Sequence, residues 1–366
     1  RLGGGVMGGG GGRQFNRTMD PDAHPEAGED TFLPLRERLD CERRIKGLQK
    51  KQGKNMRTNE IISLEEDSKY MVRAQGLLRT RALSVDLSAA QNFQKYVVGE
   101  LSLQQQRVGI MYGRVDDEGN AFCDAIYEPP QNGDAECYEL LEDPDEAMVD
   151  RVAALLGMRR VGWVFTARER KCILSGGDIK VSCAMQEKLE ESHGFDHARS
   201  WVSAVITRND TTGSVVFEAY QISDLCMDMH RRGVLKAPAG SNKGYSRTTV
   251  DVLVERKDTQ KVDTDFFLNT VPIKTHTSPL FGDREGEFPI ENRPGVVQNG
   301  FEVKHILKCH EEVPMSHALR DFHMLLFLAK TLDPVHDLPS LCKAVVSGEE
   351  PAPGHKSIIE TLAQQT

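Results

Sequence analysis

Between Leu83 and Gln221 helical and strand-like periodicities alternate, and that order restricts the possible folds more than any other feature of the chain. Asp86-Leu87-Ser88 opens a helix whose apolar residues Ala89, Phe93, Tyr96 and Val97 recur at i, i+4, i+7 and i+8. Residues 108–113 read as a strand, 116–119 as a turn and 121–127 as the returning strand. Pro129-Pro130 ends it, since proline gives no donor to a ladder. Asp143-Pro144, with Glu146 three residues past the cap, starts a second helix. Met148, Val152, Leu155 and Leu156 are its buried stripe, and Gly157 supplies a left-handed stop. Residues 159–165 form a strand, 175–191 a helix, and 201–208 with 214–221 a hairpin. Helix, hairpin, helix, strand, helix, hairpin predicts a mixed α/β domain, a largely antiparallel sheet flanked by helices.

The flanks differ in composition. Residues 1–30, with eight glycines among the first twelve positions, bury almost nothing and are expected to be disordered. Residues 31–81 read as a basic linker or helical segment, with nine Lys/Arg against three Asp/Glu between Arg36 and Arg57. Residues 82–224 are the α/β domain. Residues 225–346 are a C-terminal mixed and helical domain, with short strands over 250–290 and helices from about 299. The apolar stretch from His317 to Leu328 reads as one helix, and 347–366 as a flexible tail. The chain opens on Arg1, so an N-terminal portion is expected to lie upstream.

Charge and cysteine usage narrow the function classes. A net charge of −9 disfavours nucleic acid as the main partner. No apolar run approaches the ~18–20 residues of a membrane span, and no signal peptide is evident. The eight cysteines are scattered singly, without the clustering that a zinc finger or a disulfide framework requires. A reducing compartment, cytoplasm or nucleus, is the expectation.

One constellation bears on catalysis. The stretch Gly162-Trp163-Val164-Phe165 and the Ser175 and Asp178 that follow it resemble the frame of the MPN-fold metalloproteases, the JAMM isopeptidases that cut ubiquitin. Those enzymes hold zinc with His-x-His and an Asp, and use an upstream Glu as general base. Here the resemblance puts Phe165 and Ala167 at the two His positions and Gln106 at the Glu position. Ser175 and Asp178 remain ten and thirteen residues after Phe165. Phe and Ala have no lone pair to give, and a Gln amide takes no proton from water. A degenerate, inactive site is implied, with no catalytic residue and no metal or other cofactor. Ser175-x-x-Asp178 reads instead as a helix capping box.

A wider resemblance covers about residues 82–345. It rests on Ile126-Tyr127-Glu128-Pro129-Pro130-Gln131, on Leu-Leu-Glu-Asp-Pro at 140–144, and on Gly157-Met158-Arg159-Arg160-Val161-Gly162-Trp163-Val164-Phe165. Phe217-Glu218-Ala219-Tyr220-Gln221-Ile222-Ser223, Phe288-Pro289-Ile290-Glu291-Asn292-Arg293 and Asp321-Phe322-His323-Met324-Leu325-Leu326-Phe327-Leu328 complete it. Together these blocks resemble the nuclear protein localization protein four family in its plant and algal form. The resemblance implies an inactive MPN domain and a non-enzymatic adaptor of an AAA unfoldase, valosin-containing protein. It further implies work with the ubiquitin-fusion-degradation protein, binding of polyubiquitin and delivery of substrates for proteasomal degradation, including ER-associated degradation. Localisation would be cytoplasmic and nuclear, with the ER surface reached through partners. Tyr127, Glu128, Pro129, Pro130, Trp163, Glu218, Tyr220, Phe288, Glu291, Asn292 and Arg293 are the motif residues expected to bind or to hold structure.

The family commonly carries an N-terminal ubiquitin-like domain and zinc motifs before the MPN domain. Neither is visible here, and only Cys41 precedes residue 82. The alternative is an MPN scaffold subunit of a proteasome-lid, signalosome or translation-initiation assembly. Such subunits turn helical directly after the MPN domain, whereas residues 250–293 read as strands. His317, Asp321 and His323 suggest a metal site only superficially, because on one helix His323 lies about 120° round from His317. Cys172 beside Arg168, Arg170 and Lys171 has no base to make it a nucleophile and reads as inert.

Overall fold

A computed structural model describes residues 70–168, 170–209, 212–236, 243–282 and 287–364. The Gly-rich start and the basic run at 36–57 lie outside these residues. Chain order is β1 (Met71–Val72), β2 (Ala82–Asp86), α1 (Leu87–Gln94), β3 (Val108–Val115), β4 (Asn120–Tyr127), β5 (Gln131–Gly133), β6 (Tyr138–Leu140), α2 (Glu146–Leu155), β7 (Arg159–Arg168), α3 (Gly176–His193) and α4 (Phe195–Ala198). There follow β8 (Val202–Arg208), β9 (Val215–Ile222), α5 (Asp224–Arg231), β10 (Leu235–Lys236), β11 (Tyr245–Val254), β12 (Lys257–Asp263), β13 (Leu268–Val271) and β14 (Ile273–His276). Helices α6 (Gly300–Cys309), α7 (Met315–Ala318), α8 (Phe322–Ala329), α9 (Asp337–Ser347) and α10 (Pro353–Gln364) close the chain.

An eight-stranded sheet in the order β13-β9-β8-β7-β3-β4-β2-β14 forms the centre. Four of its seven pairings are antiparallel, so the mixed, largely antiparallel α/β fold expected from the sequence is what forms. Side chains alternate across it as the strand period demands. Ile110 and Tyr112 of β3 and Trp163, Phe165 and Ala167 of β7 face a core shared with α2, α3 and the C-terminal helices. Met111 and Val164 face the opposite core, under Phe93, Tyr96 and Val97. Close strand approach restricts two positions to glycine. A Cβ on Gly113 would stand 1.8 Å from the Phe122 carbonyl oxygen, and one on Gly162 2.2 Å from that of Val202.

Several boundaries differ from the sequence reading. Strands β13 and β14 lie beyond residue 224 yet form both edges of the central sheet, so this sheet is not completed within 82–224. The preceding segment is tied in as well. Tyr70 is buried, β1 pairs with β11, and the Arg79 and Thr80 amides both donate to Gln221 Oε1. Helix α1 passes into a wider π turn over Lys95–Glu100, where the Leu101 amide reaches back to the Tyr96 carbonyl. Helix α2 begins after Asp145; the Asp143 carboxylate accepts from the Asp145 amide with Oδ1 in the turn ahead of it and from the Tyr127 hydroxyl with Oδ2. Its stripe is centred on Val149, Val152, Ala153 and Leu156, with Met148 and Leu155 half-buried at its margin. Gly157 adopts φ +76°, the left-handed stop.

The stretch from His317 to Leu328 is two helices. α7 ends at Ala318, and Asp321 caps α8 by accepting from the Met324 amide at 3.0 Å. His317 and Asp321 therefore do not share a helix face. Nor is 347–366 a tail throughout, because α10 packs on α6 with Ile359 and Ala363 buried. Period alone could not distinguish an exposed end from an amphipathic helix whose partner lies some fifty residues upstream. Truncating Ile359→Ala should cost about 2–4 kcal/mol in a denaturant titration, the range for an aliphatic core cavity. A loss of a few tenths would mean that the end of the chain is not part of the core.

Candidate functional site

Two clusters gather most of the residues singled out by sequence. The first is at the start of α3. Ser175 Oγ accepts from the Asp178 amide at 3.2 Å, and Asp178 Oδ2 accepts from the Ser175 amide at 2.8 Å, a complete capping box. Asp178 has further partners. Its Oδ2 is paired with the Arg170 guanidinium, and its Oδ1 accepts from the Tyr138 hydroxyl at 3.1 Å. Burial and the Asp178 charge push the Tyr138 phenol well above its ordinary range. The Tyr138 ring lies 6.0 Å from Trp163 and 5.9 Å from Phe165, and these two stack at 4.5 Å. Phe165 and Ala167 are buried, as is Gln106, whose amide donates to the Asp134 carbonyl in the β5–β6 ribbon.

This arrangement decides what the corner can hold. A divalent cation needs several converging donors, and the carboxylate present is already neutralised by a guanidinium. Among the described residues no group of three His, Cys, Asp or Glu side chains converges to hold an ion. The neighbouring wall is aromatic. The spacing of Ser175 and Asp178 revealed the cap; nothing in it pointed to Arg170 or Tyr138, which arrive from separate loops and a ribbon.

The second cluster joins the sheet to the C-terminal region. Glu128 is fully buried. Its Oε2 accepts from Arg107 Nε at 2.6 Å and its Oε1 from Arg293 Nε at 2.9 Å. Asn292 Nδ2 donates to the Glu128 carbonyl and Arg107 Nη2 to the Asn292 carbonyl, so strand and loop interlock in both directions. The Arg293 guanidinium lies over the Tyr96 ring at 4.1 Å from its centroid. Asn292 takes a left-handed φ of 60°, which places its side chain back towards Tyr127 and Glu128. On the same loop Phe288 is buried beside Phe327, and its amide donates to Asp321. Glu291 pairs with His323 Nδ1 at 2.9 Å. Burial alone would lower the His323 pKa, but the Glu291, Asp321 and Glu128 carboxylates outweigh it and raise the value.

Pro129 and Pro130 end β4 beside this knot, where the Pro129 carbonyl accepts from Gln131. Glu218 and Tyr220 stand apart on β9, where burial and the Glu218 charge push the Tyr220 phenol above its ordinary range. Between the clusters runs a cleft of about 600 Å³. Ile110, Pro129, Leu140, Leu141, Val181 and Met185 line it, and Glu146, Arg160 and Lys188 charge its rim. Glu146 accepts from Lys188 at 2.7 Å and pairs with Arg160 at 2.8 Å.

Two outcomes test this geometry. Glu128→Ala leaves two buried guanidinium groups without their acid and should cost about 3–5 kcal/mol in equilibrium unfolding. His323 is raised above its unfolded value, so its contribution is complete below about pH 6.5 and fades as pH rises through the folded value. His323→Gln should remove that fall from the stability–pH curve, and an unchanged curve would refute the assignment.

The model of the NPL4 family matches residues 107–259. An NPL4-like protein of Oryza sativa subsp. japonica is 34% identical over 318 residues, covering 85% of this chain and 74% of its own. The nuclear protein localization protein 4 homolog of Dictyostelium discoideum is 30% identical, with 81% and 50% covered. The Homo sapiens homolog is 29% identical, with 64% and 46% covered. With a relative of this identity aligned over most of both lengths, the chain belongs to the NPL4 family.

Proposed function

We propose that this chain is a non-enzymatic adaptor that binds polyubiquitin for the AAA unfoldase valosin-containing protein. In this reading it acts with the ubiquitin-fusion-degradation protein to deliver substrates for extraction and proteasomal degradation, ER-associated degradation included. It works in the cytoplasm and nucleus and reaches the ER surface through those partners. The relatives named for nuclear protein localization support this placement, and no helix among the described residues is long and apolar enough to cross a membrane.

The observation that carries the non-enzymatic reading is the neutralised Asp178. With Arg170 on its carboxylate and Phe165 and Ala167 beside it, the corner lacks both the ligands and the base of an isopeptidase. What remains is the neighbouring cleft, apolar along its floor and charged at its rim, which suits an extended segment with alternating apolar and polar side chains. The acidic net charge of −9 favours approach of a basic partner face.

Purified protein should contain no stoichiometric zinc and cleave no tetraubiquitin. The double variant Phe165→His, Ala167→His should gain none, since Arg170 still holds Asp178. One tightly bound zinc in the wild type, with cleavage lost in Asp178→Ala, would overturn the reading. Binding of tetraubiquitin should be weak for the chain alone and stronger with the unfoldase and its partner, because modest contacts on one assembly add through effective concentration. Met185→Glu in the cleft should weaken it several-fold at unchanged melting temperature. Recovery from cytosol of a lid or initiation-factor complex, without unfoldase or ubiquitin, would favour the scaffold alternative.

A further inference from the structure

The cleft beside the Asp178 corner carries its charges unevenly. At one end Arg160 of β7 pairs with Glu146 and with Asp150, each at 2.8 Å, and Lys188 of α3 donates to Glu146 at 2.7 Å. Two cations meet two carboxylates there, so that end is balanced. The other end lies across β3, because Tyr127 of β4 stands opposite Ile110 and Arg160 stands opposite Tyr112. At ~4.8 Å per strand the two ends are about 10 Å apart. Glu142 and Asp143 occupy this second end, and neither has a cation within ion-pair reach among the described residues.

The partners that Asp143 does have are neutral. Its Oδ2 accepts from the Tyr127 hydroxyl at 2.8 Å and its Oδ1 from the Asp145 amide at 2.9 Å. Burial and the Asp143 charge hold the Tyr127 phenol well above its ordinary range. The phenol therefore keeps its proton, and its hydrogen bond cancels no charge. Glu142 is exposed and Asp143 half-buried, so a group entering the cleft reaches both. Pro129, Leu140 and Leu141 stand beside them, and Leu141 is 43% exposed. Open apolar surface thus adjoins uncompensated acid.

We infer that this end of the cleft selects a lysine or arginine side chain, carried by an extended segment with an aliphatic residue two positions away. In an extended chain residues i and i+2 face the same side, about 7 Å apart. The cationic head meets Glu142 and Asp143 while its hydrocarbon stem lies along Leu140 and Leu141. The aliphatic neighbour covers the floor at Ile110 and Met185. A small cation would leave that surface open, and an acidic residue would meet like charge. This selection rests on the reading that seats an extended segment in the cleft, and it adds the charge and order of the residues accepted.

The full chain is titrated with acetyl-Thr-Ile-Thr-Lys-Thr-Val-Thr-amide and followed by NMR on the Met185 and Leu141 methyl groups. Analogues with norleucine or glutamate at the lysine position are the comparison arms, and tetraubiquitin is titrated in parallel. The lysine peptide should move both probes and bind about fivefold more tightly than the norleucine peptide, with the glutamate peptide weakest. The gap should narrow as salt rises, because these acids face solvent. Glu142→Lys changes an exposed side chain without a partner among the described residues, and should abolish the lysine preference at unchanged melting temperature. A preference retained in that variant, equal binding of the lysine and glutamate peptides, or binding of neither would each overturn the selection, even where tetraubiquitin moves Met185. A lysine peptide that moves Met185 beside tetraubiquitin that does not would remove ubiquitin from the cleft and leave the selection standing.

Discussion

A carboxylate without solvent contact must be neutralised where it stands, and Glu128 is neutralised by guanidinium groups from two distant parts of the chain. Arg107 comes from the approach to β3, and Arg293 from a loop more than 150 residues further on. Removing charge from water is expensive, and the pair is viable only when geometry is close and remaining donors are used. Asn292 and the Tyr96 ring complete that requirement. The 288–293 loop therefore cannot leave the sheet without taking one of the two guanidinium partners from Glu128 and opening the Arg107–Glu128 pair to solvent. Through Phe288, Glu291 and Asp321 the same loop sets the start of α8, so the position of the C-terminal helices depends on a carboxylate in the sheet.

The Asp178 corner follows similar logic with a different result. Its carboxylate sits at a helix N-terminus, where the capping box and the helix dipole already favour negative charge. Arg170 supplies the remaining counter-charge and Tyr138 fills the space in front of it. A guanidinium thus stands on the oxygen that a cation would need. Stability of the corner and its unsuitability for metal have one cause. The apolar cleft beside it differs in being open, with Ile110, Leu140 and Met185 facing a space.

Legibility in the sequence varied with the range of the interaction. The Asp86 cap, the β3–β4 hairpin, the Ser175 capping box and the Gly157 stop are set within four or five residues, and each forms where the sequence puts it. The His317–Leu328 stretch differs from its period because Asp321 has a distant partner. Asp143 divides its carboxylate between the Tyr127 hydroxyl and the Asp145 amide ahead of α2, and Asp321 breaks an otherwise helical pattern by accepting from the Phe288 and Met324 amides. The motif blocks marked Glu128, Asn292 and Arg293 as significant without indicating that they touch. Arg107, Arg170 and Tyr138 carried no local signal at all.

The sequence by itself determined the alternation of helix and strand, the left-handed stop at Gly157, and the absence of lone pairs at Phe165 and Ala167. These depend on backbone period and side-chain chemistry, which act locally. Only the tertiary structure decided which strands close the sheet, that α10 belongs to the core, and which arginine neutralises which acid. Those outcomes depend on groups separated by tens to hundreds of residues meeting in a low-dielectric interior, where burial makes each unpaired charge costly and each pairing specific.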